Sequence, residues 1–545
     1  MIHNENSRVK IPALVHLTRL EYKYIKQKDC SGAYCPKTNI FKGILRDSIN
    51  RLNGTALTEA DVDSLVEELA IKLNTDDLGR AFYKILLSGF NGLRLIDLED
   101  ESRNSYHVVT ELTYQNGEDE FRPDITLLVN GLPLAFIEVK KPNNRDGIIA
   151  EHTRMNKRFA KKVFRRFANI TQIMVFSNNM EYDDNDVEPI EGAFYASSSY
   201  EKLFFNRFRE EDPTIHSSVR PVDSNSEETI LMDNNLVTIK GTEEYALNID
   251  EHTPTNRMLT SLFAHSRFNM FLKYGFAYVE RTDKNGIKTL QKHIMRYPQF
   301  FATLAIEKKL NVGVKHGIIW HTQGSGKTAL AFHNVRYLRD YFQRQDKVAK
   351  FYFVVDRLDL LTQASEEFAA RGLHVEKVNS KEDFIKNIKT IGTSNNSGED
   401  SITVVNIQKF TEESVARKSD YDVDVQRIYF LDEAHRSYKP KGSFLANLMA
   451  SDRDAVMIAL TGTPLIGDGY NTKDVFGEYI HKYYYNRSIA DGYTLKLIRE
   501  GIKTEYRTKM QTILESLETE KGSLSKKDVY AHPKYVSALV EYIVE

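Results

Sequence analysis

The chain has 545 residues, of which 41% are hydrophobic and 28% are charged, as in an ordinary globular protein. Lysine and arginine total 74 against 76 aspartates and glutamates, so the net charge of −2 does not indicate a nucleic-acid partner. Any DNA contact must therefore use local basic surfaces. We find no apolar run of about 18 residues and no signal-peptide-like start, so we expect neither membrane insertion nor export. The length predicts about three or four domains, each with its own core.

The amino-terminal region is predicted to begin with helices. Residues 41–90 have helical periodicity, and a capping box is expected at Thr58 and Asp61. The two cysteines, Cys30 and Cys35, have no further cysteine with which to complete a four-thiolate metal site. Reduced thiols are therefore the better interpretation of this pair.

Three predicted strands follow, and the last two form a hairpin that carries acidic residues. They cover residues 107–114, 124–129 and 134–140. Asn130-Gly131 marks the hairpin turn. A three-residue loop centred on Gly131 would place Asp124 opposite Glu138, on the same face of the sheet as Lys140. A two-residue loop would shift the register by one and turn Glu138 to the other face.

This hairpin has the chemistry of a nuclease site. Two adjacent carboxylates are stable together at pH 7 only if a cation or a proton lies between them. Mg²⁺ suits Asp124 and Glu138, and with Lys140 it could stabilise the charge that develops when water attacks a phosphodiester. The alternative is a solvated hairpin face with an aspartate and a Glu–Lys pair. The unbroken apolar run before Glu138 favours the site, because it predicts a strand covered on both faces.

A basic helix is predicted over residues 151–168. Met155, Phe159, Val163 and Phe167 recur every four residues along one side. The candidate DNA-binding residues on the remaining surface are Arg154, Lys157, Arg158, Lys161 and Lys162. The helix is interpreted either as a phosphate-contacting surface beside the hairpin or as a solvated face around a core stripe. Two polar stretches, 211–230 and 392–400, are predicted as a linker and a surface loop.

Residues 317–328 predict a phosphate-binding loop, because an apolar strand ends in glycines where a helical pattern begins. The loop and the first helical residues are Gly324, Ser325, Gly326, Lys327 and Thr328. Lys327 can reach the β- and γ-phosphates of a nucleotide, and the hydroxyl of Thr328 can hold Mg²⁺. The strict pattern has a glycine where this chain has His321. The alternative is an ordinary tight turn between a strand and a helix.

A parallel sheet is predicted from Gly317 onward, because five apolar runs alternate with helical or loop segments. The runs are 317–320, 351–355, 402–406, 427–431 and 456–460. Ligands of such sheets bind beyond the carboxyl ends of the strands. Asp432 and Glu433 follow the fourth run, where Asp432 is placed to hold Mg²⁺ and Glu433 to orient or deprotonate water. Thr461-Gly462-Thr463-Pro464 follows the fifth run.

These residues resemble a superfamily 2 helicase motor. Residues 324–328 match its motif I, 432–435 its motif II and 461–463 its motif III. Upstream, in Arg296-Tyr297-Pro298-Gln299, the resemblance implies that Gln299 contacts adenine. The hairpin resembles the nuclease motif Asp…Glu-x-Lys. One family joins that nuclease to that motor in this order: the restriction, or R, subunits of type I restriction–modification enzymes.

The resemblance implies an α/β fold with several parts. They are a restriction-endonuclease-like domain at 1–225, a linker at 226–250, a RecA-like helicase lobe at 251–470 and the beginning of a second lobe at 471–545. The implied activity is ATP-dependent translocation of double-stranded DNA coupled to Mg²⁺-dependent cleavage of unmodified sites. The implied partners are methyltransferase and specificity subunits, and the implied location is the prokaryotic cytoplasm.

Two departures from the family pattern bear on these expectations. Such nucleases often carry Gln-x-x-x-Tyr on the following helix, where the matching positions here are Met155 and Phe159. The second lobe supplies an arginine that completes the ATP site, so we expect this chain to bind nucleotide but to hydrolyse it poorly. Two other functions remain open: a helicase–nuclease of DNA repair, and a nucleotide-gated DNA-binding scaffold whose hairpin carboxylates are inert.

Overall fold

The computed structural model divides the chain into two compact units, Met1–Thr494 and Leu495–Glu545. The described residues are 4–142, 145–184, 191–282, 285–378, 380–389, 400–406, 424–433, 448, 452–466, 471–495, 504–521 and 531–544. The predicted loop at 392–400 and the motif II histidine, His435, lie outside these ranges, apart from Asp400.

The amino-terminal half of the first unit is built on a seven-stranded mixed sheet in the order β1-β4-β7-β8-β9-β10-β11. Its strands are β1 (Lys23–Ile25), β4 (Tyr106–Thr110), β7 (Ile125–Val129), β8 (Leu132–Val139), β9 (Ile173–Ser177), β10 (Ala193–Ala196) and β11 (Asn206–Arg207). Two small hairpins pair β2 (Tyr34–Cys35) with β3 (Ile40–Phe41), and β5 (Tyr114–Asn116) with β6 (Asp119–Phe121). The predicted strand 107–114 is therefore two strands, which belong to different sheets.

The acidic hairpin has a two-residue turn rather than the predicted three-residue loop. Asn130 and Gly131 both have positive φ, 51° and 82°, as a tight hairpin turn requires. Beside the turn Leu128 pairs with Pro133, but further along Leu127 pairs with Ala135, so Leu134 is an extra residue, or β-bulge. The bulge shifts the register by one and leaves Ile125 opposite Ile137. Continuing that register places Asp124 opposite Glu138, as predicted. The cause is a two-residue turn with a bulge, not a three-residue loop.

Helices cover both faces of this sheet. On one side are α1 (Ile11–Arg19), α2 (Lys42–Asn53), α3 (Glu59–Lys72) and α4 (Arg80–Ser88), and α3 begins with the predicted capping box. On the other side, α5 (Arg145–Ala160) and α6 (Arg165–Ile170) connect the parallel strands β8 and β9. The predicted single helix over 151–168 is therefore broken, because Lys161 has extended backbone angles. Phe136, Phe159 and Phe176 belong to the aromatic core beneath these two helices.

The predicted linker is folded and packed against the amino-terminal half. Residues 226–250 include most of α7 (Ser224–Asp233) and all of α8 (Glu243–Asn248). Ile230 and Tyr245 are buried in a hydrophobic cluster that extends from Val9 to Phe301 and includes Tyr483. The next elements are α9 (Pro254–Phe263), α10 (His265–Tyr274), and the hairpin of β12 (Phe276–Thr282) and β13 (Lys288–Ile294). The amino-terminal sheet and these elements thus share one core, rather than having the separate cores expected from length.

The second half of this unit contains the predicted parallel sheet, in the order β16-β17-β15-β18-β19-β14-β20. The strands are β14 (His316–His321), β15 (Val348–Val355), β16 (His374–Val378), β17 (Ser401–Asn406), β18 (Val425–Asp432), β19 (Val456–Thr461) and β20 (Tyr479–Tyr483). All five predicted strands are present and every pairing is parallel. The sequence did not predict β16 or β20, and β20 extends the sheet past the predicted limit at residue 470.

Helices pack on both faces of the parallel sheet. They are α11 (Tyr297–Asn311), α12 (Lys327–Gln343), α13 (Leu358–Ala370), α14 (Lys381–Lys389), α15 (Thr472–Phe476) and α16 (Tyr485–Ala490). The second unit contains α17 (Thr504–Lys521) and α18 (Pro533–Val544), between which Lys509 and Glu541 form an ion pair. Among the described residues, no helix is both long enough and apolar enough to cross a bilayer.

Candidate functional site

The carboxyl end of β8 carries the predicted nuclease residues. The backbone amide of Val139 donates a hydrogen bond of 2.9 Å to Oδ2 of Asp124, which fixes this carboxylate at the end of the hairpin. Glu138 is buried, and its Oε1 has no hydrogen-bond partner. Nζ of Lys140 lies 3.6 Å from Oε2 of Glu138. The structure therefore brings Asp124, Glu138 and Lys140 together, as the sequence predicted.

Two further carboxylates, which the sequence analysis missed, lie near Lys140. Oε2 of Glu151 on α5 is 3.3 Å from Nζ of Lys140. Burial raises the pKa of Glu5, on which the nearby charges of Lys140 and Asp124 also act. Glu5 and Glu151 are far from the hairpin in sequence, so only the fold places them here. An i to i+3 pairing of Glu151 with Arg154 was the one local signal available for Glu151.

The electrostatics of this site suit a divalent cation. Burial raises the pKa of Glu138 well above its usual value, and the charges of Asp124 and Glu151 act in the same direction. A buried carboxylate with an unpartnered oxygen, facing a second carboxylate, is stabilised by a bound cation or by a proton. Oxygen donors of this kind are the ligands that Mg²⁺ prefers. Asp124 and Glu138 thus fit the predicted metal, whereas Thr328 and Asp432 stay predicted ligands of a second Mg²⁺ at the phosphate loop.

A polar cavity of about 270 Å³ opens beside Glu138, Lys140 and Glu151. Three arginines line it: Arg122, Arg154 and Arg158. The guanidinium carbon of Arg158 lies 3.8 Å from the centre of the Phe121 ring, which holds the cation over the cavity wall. Positive charge therefore surrounds the acidic centre, as the recognition of a phosphate backbone requires.

The predicted DNA-binding residues divide into two groups. Arg154 and Arg158 line the acidic cavity. Lys157 is exposed, Lys161 lies 3.2 Å from Asp119, and Lys162 lies 3.4 Å from Asp76. The contact of this set with DNA stays a prediction.

Met155 and Phe159 are fully buried in the aromatic core under the sheet. The positions matched to Gln-x-x-x-Tyr are therefore packing residues in this chain, and neither reaches the acidic cavity.

The phosphate loop connects β14 to α12 as predicted. Gly324 and Gly326 have φ of 83° and 87°, and α12 begins at Lys327 with its amino-terminal turn facing the loop. The hydroxyl of Ser325 donates to the carbonyl of Thr322 over 2.6 Å. Nζ of Lys327 lies 3.5 Å from the carbonyl oxygen of His321. The loop thus has the left-handed glycines and the helix start that a polyphosphate site needs.

Asp432 and Glu433 lie at the carboxyl end of β18. Burial raises the pKa of Asp432 to about 6, Lys327 opposes the shift, and Glu433 and Asp356 add to it. Lys327 therefore acts electrostatically on Asp432, as expected when a phosphate-loop lysine faces a metal-binding aspartate. Glu433 has φ of 49°, a strained conformation of the kind found at functional positions. Asp356, which follows β15, was missed; its signal was an acidic residue directly after an apolar strand.

Gln299 lies at the edge of the phosphate loop. Its Nε2 donates to the carbonyl oxygen of Gly326 over 3.1 Å, and its Oε1 accepts the Arg296 amide over 3.0 Å. Gln299 and Arg296 line a cavity of about 600 Å³, to which the amino-terminal half contributes Ser197 and Asn206. The position of Gln299 suits the predicted adenine contact. Residues of the amino-terminal half and of the ATPase half both border the cavity.

Three hydrogen-bonded side chains, His321, His481 and Glu211, support the strand that leads into the phosphate loop. Nε2 of His321 lies 2.7 Å from Nδ1 of His481 on β20, and Nε2 of His481 lies 2.7 Å from Oε2 of Glu211. Burial lowers the pKa of His321 well below its usual value, so this ring is neutral. His321, which replaces the glycine of the strict pattern, therefore connects the phosphate loop to the last strand of the sheet.

The comparisons with known proteins agree with this arrangement. Residues 2–183 match the family described as type I restriction enzyme R protein N terminus, and residues 298–529 match the SWI2/SNF2 ATPase family. The chain thus joins a restriction-enzyme amino-terminal domain to a SWI2/SNF2 ATPase domain.

The relatives name the family more narrowly. An endonuclease subunit of the type I restriction enzyme MjaIXP from Methanocaldococcus jannaschii is 25% identical, across 91% of this chain and 46% of the relative. The SauMSSORF170P endonuclease subunit from Staphylococcus aureus is 25% identical across 80% of this chain and 41% of the relative. The SsaAORF53P endonuclease subunit from Staphylococcus saprophyticus is 24% identical across 91% of this chain and 48% of the relative. The chain is thus similar to the endonuclease subunits of type I restriction enzymes, and it spans less than half the length of these relatives.

The chain also aligns with the type ISP restriction–modification enzyme LlaBIII bound to DNA. The identity is 13% over 37% of this chain and 16% of that chain, with a TM-score of 0.26.

Proposed function

We propose that this chain contains the nuclease and the ATP-binding part of a type I restriction R subunit. In the whole protein, ATP-driven translocation along double-stranded DNA is coupled to Mg²⁺-dependent cleavage of unmodified DNA. The observation that carries the proposal is the hairpin register: the bulge at Leu134 keeps Asp124 opposite Glu138, with Lys140 beside them. This site occurs in the same compact unit as a phosphate loop.

The nuclease residues have distinct roles in the proposal. Asp124 and Glu138 would hold Mg²⁺ through their carboxylate oxygens. When bound, Mg²⁺ supplies positive charge that stabilises phosphodiester hydrolysis. Lys140 directs its ammonium group at the same place and stabilises charge on the scissile phosphate. Arg154 and Arg158 hold the DNA backbone at the mouth of the cavity.

The motor residues bind and orient ATP. Backbone amides of the phosphate loop and the start of α12 bind the phosphates, and Lys327 neutralises their charge. Thr328 and Asp432 would hold the nucleotide's Mg²⁺, and Glu433 orients water at the γ-phosphate. Gln299 selects adenine. Movement against a second lobe would convert hydrolysis into travel along the duplex.

The proposed partners are double-stranded DNA and the methyltransferase and specificity subunits of the same system. Base reading would belong to another subunit, as the family resemblance implies. The proposed location is the cytoplasm of a prokaryote, where the target DNA is found.

The test uses the full-length subunit mixed with the proteins encoded beside it, on methylated and unmethylated plasmids. ATP-dependent cleavage of unmethylated plasmid alone is the expected result. Lys327→Ala should abolish both translocation and cleavage, whereas Asp124→Asn should abolish cleavage and spare translocation. If Asp124→Asn still cut DNA, the nuclease assignment would fall.

The same experiment separates the two other functions. Cleavage that starts at DNA ends and needs no partner subunit would indicate a repair helicase–nuclease. Nucleotide-dependent DNA binding without cleavage, and without binding of Mg²⁺ or Mn²⁺ at Asp124 and Glu138, would indicate a scaffold.

A further inference from the structure

We propose that Glu151 is a positioning residue of the nuclease site, which holds the ammonium group of Lys140 in place for catalysis. This inference rests on the proposed function and extends the site from the hairpin to helix α5. It also assigns a role to a helix face on which the matched Gln-x-x-x-Tyr positions are buried packing residues.

The contacts of Glu151 distinguish it from the predicted metal ligands. Its Oε2 lies 3.3 Å from Nζ of Lys140 and 2.5 Å from Nη2 of Arg154. The Glu151 side chain is only 4% exposed, so these charge-assisted contacts are shielded from water. One oxygen of Glu151 is thus committed to two cations. Glu138, in contrast, keeps a buried oxygen with no hydrogen-bond partner, which leaves it available to a metal.

The charges of the site explain why Lys140 needs this second carboxylate. Without metal, Lys140 lies between Glu138 at 3.6 Å and Glu151 at 3.3 Å. A divalent cation on Asp124 and Glu138 would take over the negative charge of Glu138 and repel the ammonium group. Glu151 would then be the carboxylate that keeps Lys140 beside the reacting phosphate. Nζ of Lys140 also donates to the Val139 carbonyl over 2.8 Å, so this carbonyl and Glu151 together fix the direction of the ammonium group.

Arg154 extends the same arrangement toward the DNA. Its side chain is 59% exposed while its guanidinium group is anchored on Glu151. A phosphate bound by Arg154 at the mouth of the cavity would therefore be fixed relative to Lys140 through one shared carboxylate. This geometry connects binding of the DNA backbone to alignment of the catalytic lysine.

The experiment uses Glu151→Gln and Glu151→Asp in the full-length subunit assembled with its partners. Glu151→Gln keeps the size of the side chain and removes its charge, whereas Glu151→Asp keeps the charge. The matched control is Asp119→Asn, which neutralises a carboxylate paired with Lys161 at 3.2 Å on the same basic surface. Three readouts concern activity: DNA cleavage at saturating DNA, the Mg²⁺ concentration for half-maximal cleavage, and ATP-driven translocation. The fourth is the rate at which an amine-reactive reagent labels Lys140 in metal-free protein.

We expect Glu151→Gln to lower cleavage at least tenfold at saturating Mg²⁺ while translocation stays unchanged. The half-maximal Mg²⁺ concentration should rise, because an unrestrained Lys140 repels the metal. Labelling of Lys140 should become several times faster without metal. Glu151→Asp should restore part of the activity, and Asp119→Asn should match the unmodified protein in every readout.

The inference is overturned if Glu151→Gln cleaves within twofold of the unmodified protein with the same Mg²⁺ dependence. It is also overturned if cleavage falls but labelling of Lys140 is unchanged, because Glu151 would then act through other contacts. Failure of the proposed function gives a different result, in which Asp124→Asn retains cleavage.

Discussion

Nε2 of Gln299 donates a hydrogen bond of 3.1 Å to the carbonyl oxygen of Gly326, two residues before Thr328, whose hydroxyl is the predicted Mg²⁺ ligand. The predicted adenine-reading residue is thus in direct contact with the loop that binds phosphate. A Cβ atom on Gly326 would come within 2.6 Å of the same Nε2 and displace the Gln299 amide, and the φ of 87° also favours glycine. The amide group that contacts the loop is therefore the one that, under the proposed function, reads the base.

Gln299→Glu should weaken ATP binding about tenfold or more, because the carboxylate cannot donate to Gly326 and adds negative charge near the triphosphate. Discrimination against GTP should also decrease. Titration of the full-length subunit with fluorescent ATP and GTP analogues measures both effects. Gln343→Glu, at the exposed far end of α12, is the control and should leave both affinities unchanged. Unchanged ATP affinity in Gln299→Glu would exclude the adenine contact.

His481→Ala should weaken nucleotide binding roughly fivefold, because a hydrogen bond that supports the phosphate loop contributes about 1 kcal/mol. The ring of His481 lies between His321 and Glu211, at 2.7 Å from each. Glu211→Gln keeps an acceptor at that end and should have a smaller effect. Calorimetry with a non-hydrolysable ATP analogue compares the two variants. Equal affinities in His481→Ala and the unmodified protein would show that the hydrogen bonds of His481 do not contribute to nucleotide binding.

Gly131→Ala should destabilise the protein by roughly 3 kcal/mol and reduce cleavage. Positive φ is unfavourable for alanine, and its Cβ would come within 2.6 Å of the Phe41 carbonyl oxygen. Gly117 is the matched control, since it has φ of 67° with no atom within 4 Å of an added Cβ. Gly117→Ala should cost about 1–2 kcal/mol. Denaturation midpoints and cleavage rates of both variants provide the measurement, and equal losses would contradict this account of the turn.

Lys292 should make the stability of the fold depend on pH. Its buried amino group donates to Oε1 of Gln172 over 2.8 Å, and burial lowers its pKa from 10.5 to about 7. Between pH 7 and about 10.5 the unfolded chain binds one more proton than the folded chain, so stability from this group increases with pH. The slope approaches 1.4 kcal/mol per pH unit and levels off below about pH 7.

Lys292→Met should remove this part of the slope, as measured by denaturant unfolding from pH 7 to about 9.5. Lys288→Met is the control, because Lys288 is on the same strand and its side chain is 71% exposed. If the unmodified protein and Lys292→Met had parallel pH profiles, Lys292 would be charged in the folded protein at neutral pH.

Much of the architecture followed from local sequence patterns, and the rest depended on contacts between distant residues. Apolar runs predicted five parallel strands, but β20 was missed because only three of its five residues are hydrophobic. Pro133 was an available signal for the bulge, since proline lacks the amide that a ladder needs and occurs in strands mainly at edges and bulges. A linker was predicted because the polar stretch that ends at residue 230 lacks periodicity, although Ile230 and Tyr245 are buried. The carboxylate of Glu151 could not be assigned, since only the packing of α5 against β8 places it beside Lys140.

The hydrophobic cluster that extends from Val9 to Phe301 joins the hairpin-bearing sheet to the ATP-binding half. Hydrogen bonds such as that from the Tyr493 hydroxyl to Oδ1 of Asn206, at 3.1 Å, cross the same boundary. A shared interior couples the positions of these two parts among the described residues. Under the proposed function, incision on a long duplex should therefore occur at a constant number of base pairs from the position at which the motor halts.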